Sequence, residues 1–149
     1  EVKKPPGCGT YGTTTETVVD PGGVSIDIDF FTMTADRIIV EIDITALPGY
    51  VATTGVLIQQ AVADYINSLH IGMDVLLSKI WSPSALNGKM PETDTYDVTA
   101  IRLALYPASP AASNVAVAFD EGATCDIADI TLAVTCPWPV TPNLMWIWS

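Results

Sequence analysis

The feature that most constrains this chain is an alternation of apolar and polar residues in two segments, 24–30 and 37–45, with Ile39 as the one apolar exception on the polar face. A period of two places every second side chain on the same face of a β-strand. The sequence therefore predicts two strands, each with one buried face. The inward residues are expected to be Val24, Ile26, Ile28 and Phe30 in the first strand, and Ile38, Val40, Ile42 and Ile44 in the second.

A turn precedes the first of these strands. Asp20-Pro21-Gly22-Gly23 combines a proline, which presets φ, with glycines that tolerate positive φ. We therefore expect residues 14–19 to form the first arm of a β-hairpin. Further strands are predicted in the second half of the chain, over residues 98–105, 114–119 and 127–135, with a turn at 120–122.

One segment has the spacing of an amphipathic helix. In residues 54–69 apolar side chains recur every three or four positions, and Thr53 or Thr54 is available as the N-cap. A second, shorter helix over 78–86 is left open, because Pro83 would have to lie in its first turn or break it. Strands outnumber helices and the connections are short. The predicted class is α+β: a mainly antiparallel sheet with one long helix, and the short one if it forms, packed on one face.

The two ends of the chain differ from this middle part in composition. Residues 1–13 are rich in proline and glycine, and we predict a rigid opening segment or hinge made by Pro5, Pro6, Gly7, Gly9 and Gly12. The chain starts at Glu1 rather than at methionine, so we expect it to be a piece of a longer protein. Residues 14–135 are the predicted α+β domain.

Residues 136–149 form a predicted tail that is rich in proline and aromatic residues, with Trp138, Trp146 and Trp148 as candidate interface residues. Two interpretations stay open. The tail folds back onto the domain's own sheet, because exposed apolar patches are uncommon. Alternatively it anchors the chain to a neighbouring subunit, because tryptophan is enriched at interface hot spots.

Charge excludes several classes of partner. The net charge is −11, from 17 acidic and 6 basic side chains, whereas nucleic acid and anionic lipid both require a basic surface. No apolar run reaches the roughly 20 residues that span a bilayer. The three cysteines lack the spacing of a zinc site or a disulfide framework, which favours reduced thiols. The low share of charged residues, 15%, favours a subunit of an assembly over a free-standing enzyme.

Catalytic and metal-binding chemistry find little support in the sequence. The acidic pairs Asp27/Asp29 and Glu41/Asp43 are typical of solvated strand faces, which also protect a sheet edge. The acidic residues of 120–129 lack the alternating pattern of an EF-hand, and the single histidine, His70, has no motif partner. We therefore expect no enzyme activity, no metal and no cofactor. A hydrolase that uses the surface carboxylates is a distant alternative.

Several short motifs, taken in order, resemble the C-terminal part of the baseplate J-like family, the wedge proteins of contractile phage tails. The motifs are Lys4-Pro5-Pro6-Gly7, Thr10-Tyr11-Gly12, the strand at 37–45, Pro48-Gly49, the helix at 54–69 and Gly72-Met73-Asp74-Val75. The resemblance covers residues 4–134. It departs from the family at residues 87–92, where a short turn is usual, and residues 136–149 have no counterpart in it.

The resemblance implies a structural subunit of a phage or prophage tail baseplate that acts through protein–protein contacts. Its implied partners are other baseplate and tail subunits, with self-association left open. Its implied location is the virion tail, after assembly in the bacterial cytoplasm. No catalytic residue comes with the family. The alternative is a carbohydrate- or receptor-binding domain at a virion surface, which would need exposed aromatic residues clustered on one face, with Tyr50, Tyr96 and Tyr106 as the candidates.

Overall fold

The structure is a computed structural model and describes residues 9–137 of the chain. These residues form, in order, β1 (Thr14–Val19), β2 (Ser25–Phe30), β3 (Thr34–Ala46), α1 (Ala52–Asn67), α2 (Leu77–Ser84), β4 (Tyr96–Leu105), β5 (Glu121–Thr124) and β6 (Ile130–Thr135). The predicted α+β class is confirmed, with two helices and with antiparallel and mixed sheets. The predicted hinge residues Pro5, Pro6 and Gly7 and the predicted interface residues Trp138, Trp146 and Trp148 lie outside the described residues.

β1 and β2 form the predicted hairpin, which is a two-stranded antiparallel sheet separate from the main sheet. The Asp20 carboxylate accepts hydrogen bonds from the backbone N–H groups of Gly22 and Val24, at 2.8 and 2.9 Å. Gly23 has a φ of 81°, in the left-handed region that glycine enters without a steric penalty. The turn residues therefore act as the sequence predicts.

β3 is the centre of the main sheet. It pairs antiparallel with β4 and parallel with both β5 and β6. The main sheet is therefore mixed, whereas the sequence pattern predicted a mainly antiparallel one. The reason is that β4 ends beside Ile38, near the start of β3, and the connection after it crosses to the other edge of β3, so that β5 and β6 run in the direction of β3.

Two predictions in the second half of the chain are wrong. The predicted turn at 120–122 is largely strand, because Glu121–Thr124 forms β5 and pairs with residues 34–37. The predicted strand at 114–119 is reduced to an isolated bridge between Val115 and Val75. β5 has no period-two pattern of its own. A Cβ added to Gly122 of β5 would lie 3.0 Å from the Sδ of Met33, the residue that precedes β3, so the two segments lie close together.

The core lies between β3 and the helices. The four predicted inward residues of β3 are at most 1% exposed, and they pack against fully buried side chains of the helices, namely Ile58, Val62, Ile66 and Ile80. Each fully buried isoleucine contributes about 1.5–3 kcal/mol of transfer free energy. The alternation in β3 therefore fixes which of its faces the helices cover.

Both helices differ from their predicted bounds. α1 begins at Ala52 rather than 54, its N-cap is Val51 without a side-chain hydrogen bond, and Thr54 is 3% exposed, so neither threonine is the cap. α2 forms, and Pro83 lies in its last turn rather than its first. A proline there removes only one helical N–H close to the end, which a short helix tolerates better than a central proline.

Two amide side chains tie α1 to the sheet. Asn67 Nδ2 donates to the backbone oxygen of Cys125 at 2.8 Å, and Asn67 Oδ1 accepts from the Cys125 N–H at 3.0 Å. Gln59 Nε2 donates to the backbone oxygen of Ile130 at 2.7 Å. α1 is therefore fixed to the chain at the end of β5 and at the start of β6.

Candidate interaction surface

The acidic pairs are engaged by neighbouring side chains. Asp27 and Asp29 accept hydrogen bonds from threonine hydroxyls of β1, at 2.6 and 2.7 Å. Glu41 and Asp43 both accept hydrogen bonds from Arg102, at 3.2 and 2.8 Å. Within residues 9–137 no group of three or more His, Cys, Asp or Glu could hold a metal ion. These pairs therefore stabilise the surfaces of the two sheets.

Asp129 is a buried carboxylate with a defined structural role. It accepts a hydrogen bond from Arg37 Nε at 2.8 Å, and its other oxygen accepts from the Asp126 N–H at 3.2 Å, which closes a capping box before β6. The hydrogen bond from Arg37 lowers the pKa of Asp129. Burial raises the pKa of the neighbouring Cys125 thiol to about 12, so the thiol stays protonated. Asp126 and Asp129, considered for calcium, are thus part of a turn.

The three tyrosines proposed for carbohydrate binding do not form one exposed cluster. Tyr96 is 5% exposed and its hydroxyl donates to the backbone oxygen of Ser84 at 2.9 Å. Burial raises the pKa of Tyr96 to about 12. Tyr50 packs edge-on against Tyr96, with ring centroids 6.4 Å apart. Tyr106 is exposed elsewhere, with the Arg37 guanidinium 4.8 Å from its ring centre.

The two described glycines of the predicted hinge have different surroundings. A Cβ added to Gly9 would meet nothing within 4 Å, as expected for a residue in an open linker. A Cβ added to Gly12 would lie 2.2 Å from the backbone carbon of Phe30, which is too close for any side chain. Close by, Thr10 Oγ1 accepts a hydrogen bond from the Asp29 N–H at 2.8 Å. Residues 10–12 therefore pack along β2, and Gly12 is a contact residue in this structure.

The hairpin has an apolar face that no strand or helix within residues 9–137 covers completely. Ile26 and Ile28 are half-buried on this face, while Val18, Val24 and Phe30 are 47%, 58% and 37% exposed. A two-stranded sheet is marginally stable alone, and it needs a third strand or packing against another element. The face is therefore available for contact with a further segment.

A row of aromatic side chains connects the base of the hairpin to the main domain. Tyr11 packs edge-on against Phe31 with ring centroids 5.5 Å apart, and Phe31 packs edge-on against Phe119 at 5.0 Å. Such pairs contribute about 0.5–1.5 kcal/mol beyond the area that they bury. Even so, Tyr11 is 85% exposed and Phe119 is 70% exposed. Exposed apolar residues scattered singly over a surface are common, whereas a contiguous row of them marks a candidate contact site.

An open groove of about 230 Å³ lies beside this row, and we call it the aromatic groove. Its lining is Phe31, Met33, Ile71, Phe119 and Asp120. The backbone oxygen of Asp120 accepts from the Thr34 N–H at 3.2 Å, which fixes the groove to the first residue of β3. The groove therefore combines four apolar side chains with one carboxylate, that of Asp120, which accepts hydrogen bonds. Such a site suits an apolar group that carries a hydrogen-bond donor.

Sequence reasoning missed the aromatic groove. Its residues come from three separate regions of the chain, around 31–33, 71 and 119–120, and no motif joins them. One local signal was present, because Phe31 follows Phe30 directly and so breaks the alternation of β2 with a second aromatic side chain. That signal identifies an outward aromatic residue but not its neighbours.

No helix within residues 9–137 is long and apolar enough to cross a membrane. No protein-family model matches the chain, and no curated protein matches it.

Proposed function

We propose that this chain is a structural, non-enzymatic part of a phage or prophage tail baseplate, a wedge subunit that acts through protein–protein contacts. Its proposed partners are other baseplate and tail subunits, and its proposed location is the virion tail after assembly in the bacterial cytoplasm. The sequence motifs that resemble the baseplate J-like family are the reason for choosing this class.

The observation that carries the proposal is the exposed aromatic surface at the base of the hairpin. Phe119 is 70% exposed and Tyr11 is 85% exposed, and both lie in one row with Phe31. Interface cores are enriched in aromatic residues and depleted of charged ones. The aromatic groove contains one acidic residue, Asp120, in a chain whose net charge is −11. This surface therefore has the composition of a contact site.

The alternative, a carbohydrate- or receptor-binding domain, gains no support from the three tyrosines named for it. Stacking of a sugar on a tyrosine requires an exposed ring face, and Tyr96 is 5% exposed. The aromatic groove has four apolar lining residues and one polar one, Asp120, whereas a sugar presents several hydroxyl groups that need hydrogen-bond partners. A protein partner fits this lining better.

The proposal is tested on tail particles from the cell that encodes the chain. After induction and purification, immunogold labelling with antibodies against this chain should mark the baseplate end of sheath-bearing particles. Antibodies against the sheath are the positive control, and particles from a strain in which the gene is deleted are the negative one. Intact sheath-bearing particles that are never labelled, in a strain that produces the chain, would contradict the proposal.

A further inference from the structure

We propose that the aromatic groove of one copy of this chain binds Trp146 or Trp148 from the tail of a second copy. This inference rests on the proposed contact role of the surface and deepens it, because it names the partner and the side chain that enters the groove. Tryptophan fits the chemistry of the lining. Its ring system is apolar and aromatic, and its only polar group is an indole N–H that can donate but not accept.

The lining supplies both halves of this match. Phe31, Met33, Ile71 and Phe119 provide apolar contacts, and methionine sulfur makes favourable contacts with aromatic rings. Asp120 provides acceptor oxygens for the indole N–H. A leucine or isoleucine in the same groove would leave that acceptor without a partner from the bound segment. Tryptophan is therefore preferred over the aliphatic residues of the tail.

Charge also favours the tail as the binding segment. Residues 136–149 contain no Asp, Glu, Lys or Arg, although the whole chain has a net charge of −11. Two acidic copies repel each other wherever charged surfaces approach. A contact between an uncharged segment and an apolar groove brings two copies together with little of that repulsion.

The position of the groove indicates that the tryptophan comes from another copy. The groove lies at Thr34, the first residue of β3, whereas Thr135, the last residue of β6, pairs with Thr45. Eleven residues of strand separate Thr34 from Thr45, a distance of about 36 Å. A chain's own Trp146 and Trp148 are eleven and thirteen residues beyond Thr135, and they could reach at most about 36–40 Å and about 43–47 Å when the tail is fully extended.

A tail that has to be nearly fully extended along its own domain has little conformational freedom, so binding in this way carries an entropic cost. The same tail directed at a second copy has no such restriction. We therefore assign the groove to the tail of a neighbour, and this produces a head-to-tail contact in which each copy uses one groove and one tail.

Self-association of the full chain tests the proposal by sedimentation velocity over a range of concentrations. The wild type should form dimers and larger species. A tail variant, Trp146→Ala/Trp148→Ala, and a groove variant, Phe119→Asp, should each weaken association by at least about tenfold, because hot-spot residues dominate interfaces. Val56→Asp is the matched control for the groove variant. Val56 is 54% exposed on α1 and lies outside the groove, so this substitution introduces the same charge without touching it.

A mixture of the tail variant and the groove variant shows whether the groove of one copy binds the tail of another. The tail variant keeps an intact groove and the groove variant keeps an intact tail, so an equimolar mixture should form heterodimers although each variant alone is monomeric. Phe119 is exposed, and circular dichroism should report native folding of its variant. Asp120→Asn offers a second groove variant, because it replaces one acceptor oxygen with a donor that faces the indole N–H.

Three results would overturn the inference: a monomeric wild type, association that Phe119→Asp weakens no more than Val56→Asp does, or a mixture that fails to form heterodimers. The wild type would be monomeric if the tail bound the groove of its own copy, and also if the groove bound a different protein. In each case the proposed function would still hold if purified phage tail particles contain the chain. Loss of the chain from the particles with normal self-association would contradict the proposed function alone.

Discussion

The replacement Asn67→Ala should destabilise the fold more than the loss of any other polar side chain at the end of α1. The Asn67 amide makes both hydrogen bonds to the backbone of Cys125, at 2.8 and 3.0 Å, and Cys125 is 3% exposed. Alanine removes both partners at once. The Cys125 N–H and C=O would then lose these partners, and water would reach only part of the vacated site, because Asn67 is exposed whereas Cys125 is buried.

The expected cost follows from these two backbone groups. Leaving a buried donor or acceptor unsatisfied costs about 1–3 kcal/mol each, and partial access of water to the end of the helix reduces the sum. We expect a loss of about 2–4 kcal/mol in the free energy of unfolding. The corresponding fall in Tm for a chain of this size is roughly 5–15 °C.

Urea and thermal unfolding, followed by circular dichroism, measure this loss, and the urea m-value should stay unchanged if the folded state keeps its compactness. Gln60→Ala is the matched control on the same helix. Gln60 is exposed and bonds only to Asp64, at 2.7 Å, so its loss should cost less than about 0.5 kcal/mol. An Asn67→Ala variant as stable as the Gln60→Ala variant would refute the idea that this amide fixes α1 to β5.

Two further outcomes are expected. Gly12→Ala should lower Tm and disturb the hairpin, because the added Cβ would overlap the Phe30 backbone, whereas Gly9→Ala should leave Tm unchanged. Differential scanning calorimetry compares the two variants. Equal effects of both substitutions on Tm would support a plain linker. Asp129→Asn should cost about 1–3 kcal/mol at neutral pH, because Arg37 loses its charged partner. Because the pKa of Asp129 is lowered in the folded state, the contribution of Asp129 to stability is fully present above the ordinary carboxyl pKa of 3.8. This contribution is lost as the pH falls through the folded-state pKa. The stability difference from wild type should therefore shrink in acid, and a difference that stays constant down to pH 2 would contradict this assignment.

The elements that the sequence predicts well are those with a long, regular pattern. Residues 38–46 of β3 alternate between buried and partly exposed positions and α1 carries an apolar stripe, so local periodicity is enough to identify both. The hairpin is equally clear because Asp20 and Gly23 define its turn. In β3 and α1 the burial of one face and the intrinsic preference of the backbone agree, whereas the face of the hairpin predicted to be buried is only partly buried, with Val24 58% exposed.

The parts that the sequence does not predict depend on pairing between distant segments. β5 is four residues long without alternation, and it exists because residues 34–37 of β3 offer it a parallel partner. The end of α1 is set by a contact of Asn67 with Cys125, 58 residues away. The aromatic groove arises in the same way from Phe31, Ile71 and Phe119. No local pattern encodes such contacts, because each one requires the register of the main sheet first.

β3 also determines what kind of assembly the proposed contact can produce. The groove lies at Thr34 and the tail leaves the domain beside Thr45, so the two halves of the contact lie near opposite ends of one strand. A contact that joins different surfaces of identical copies is heterologous, and its repetition gives a closed ring or an open filament rather than a symmetric dimer. Because β3 has no glycine or proline and is hydrogen-bonded on both sides, the spacing between groove and tail is fixed by the sheet. The α+β domain therefore sets the separation between the groove and the start of the tail within each copy, and the choice between ring and filament depends on the angle at which the tail meets the groove.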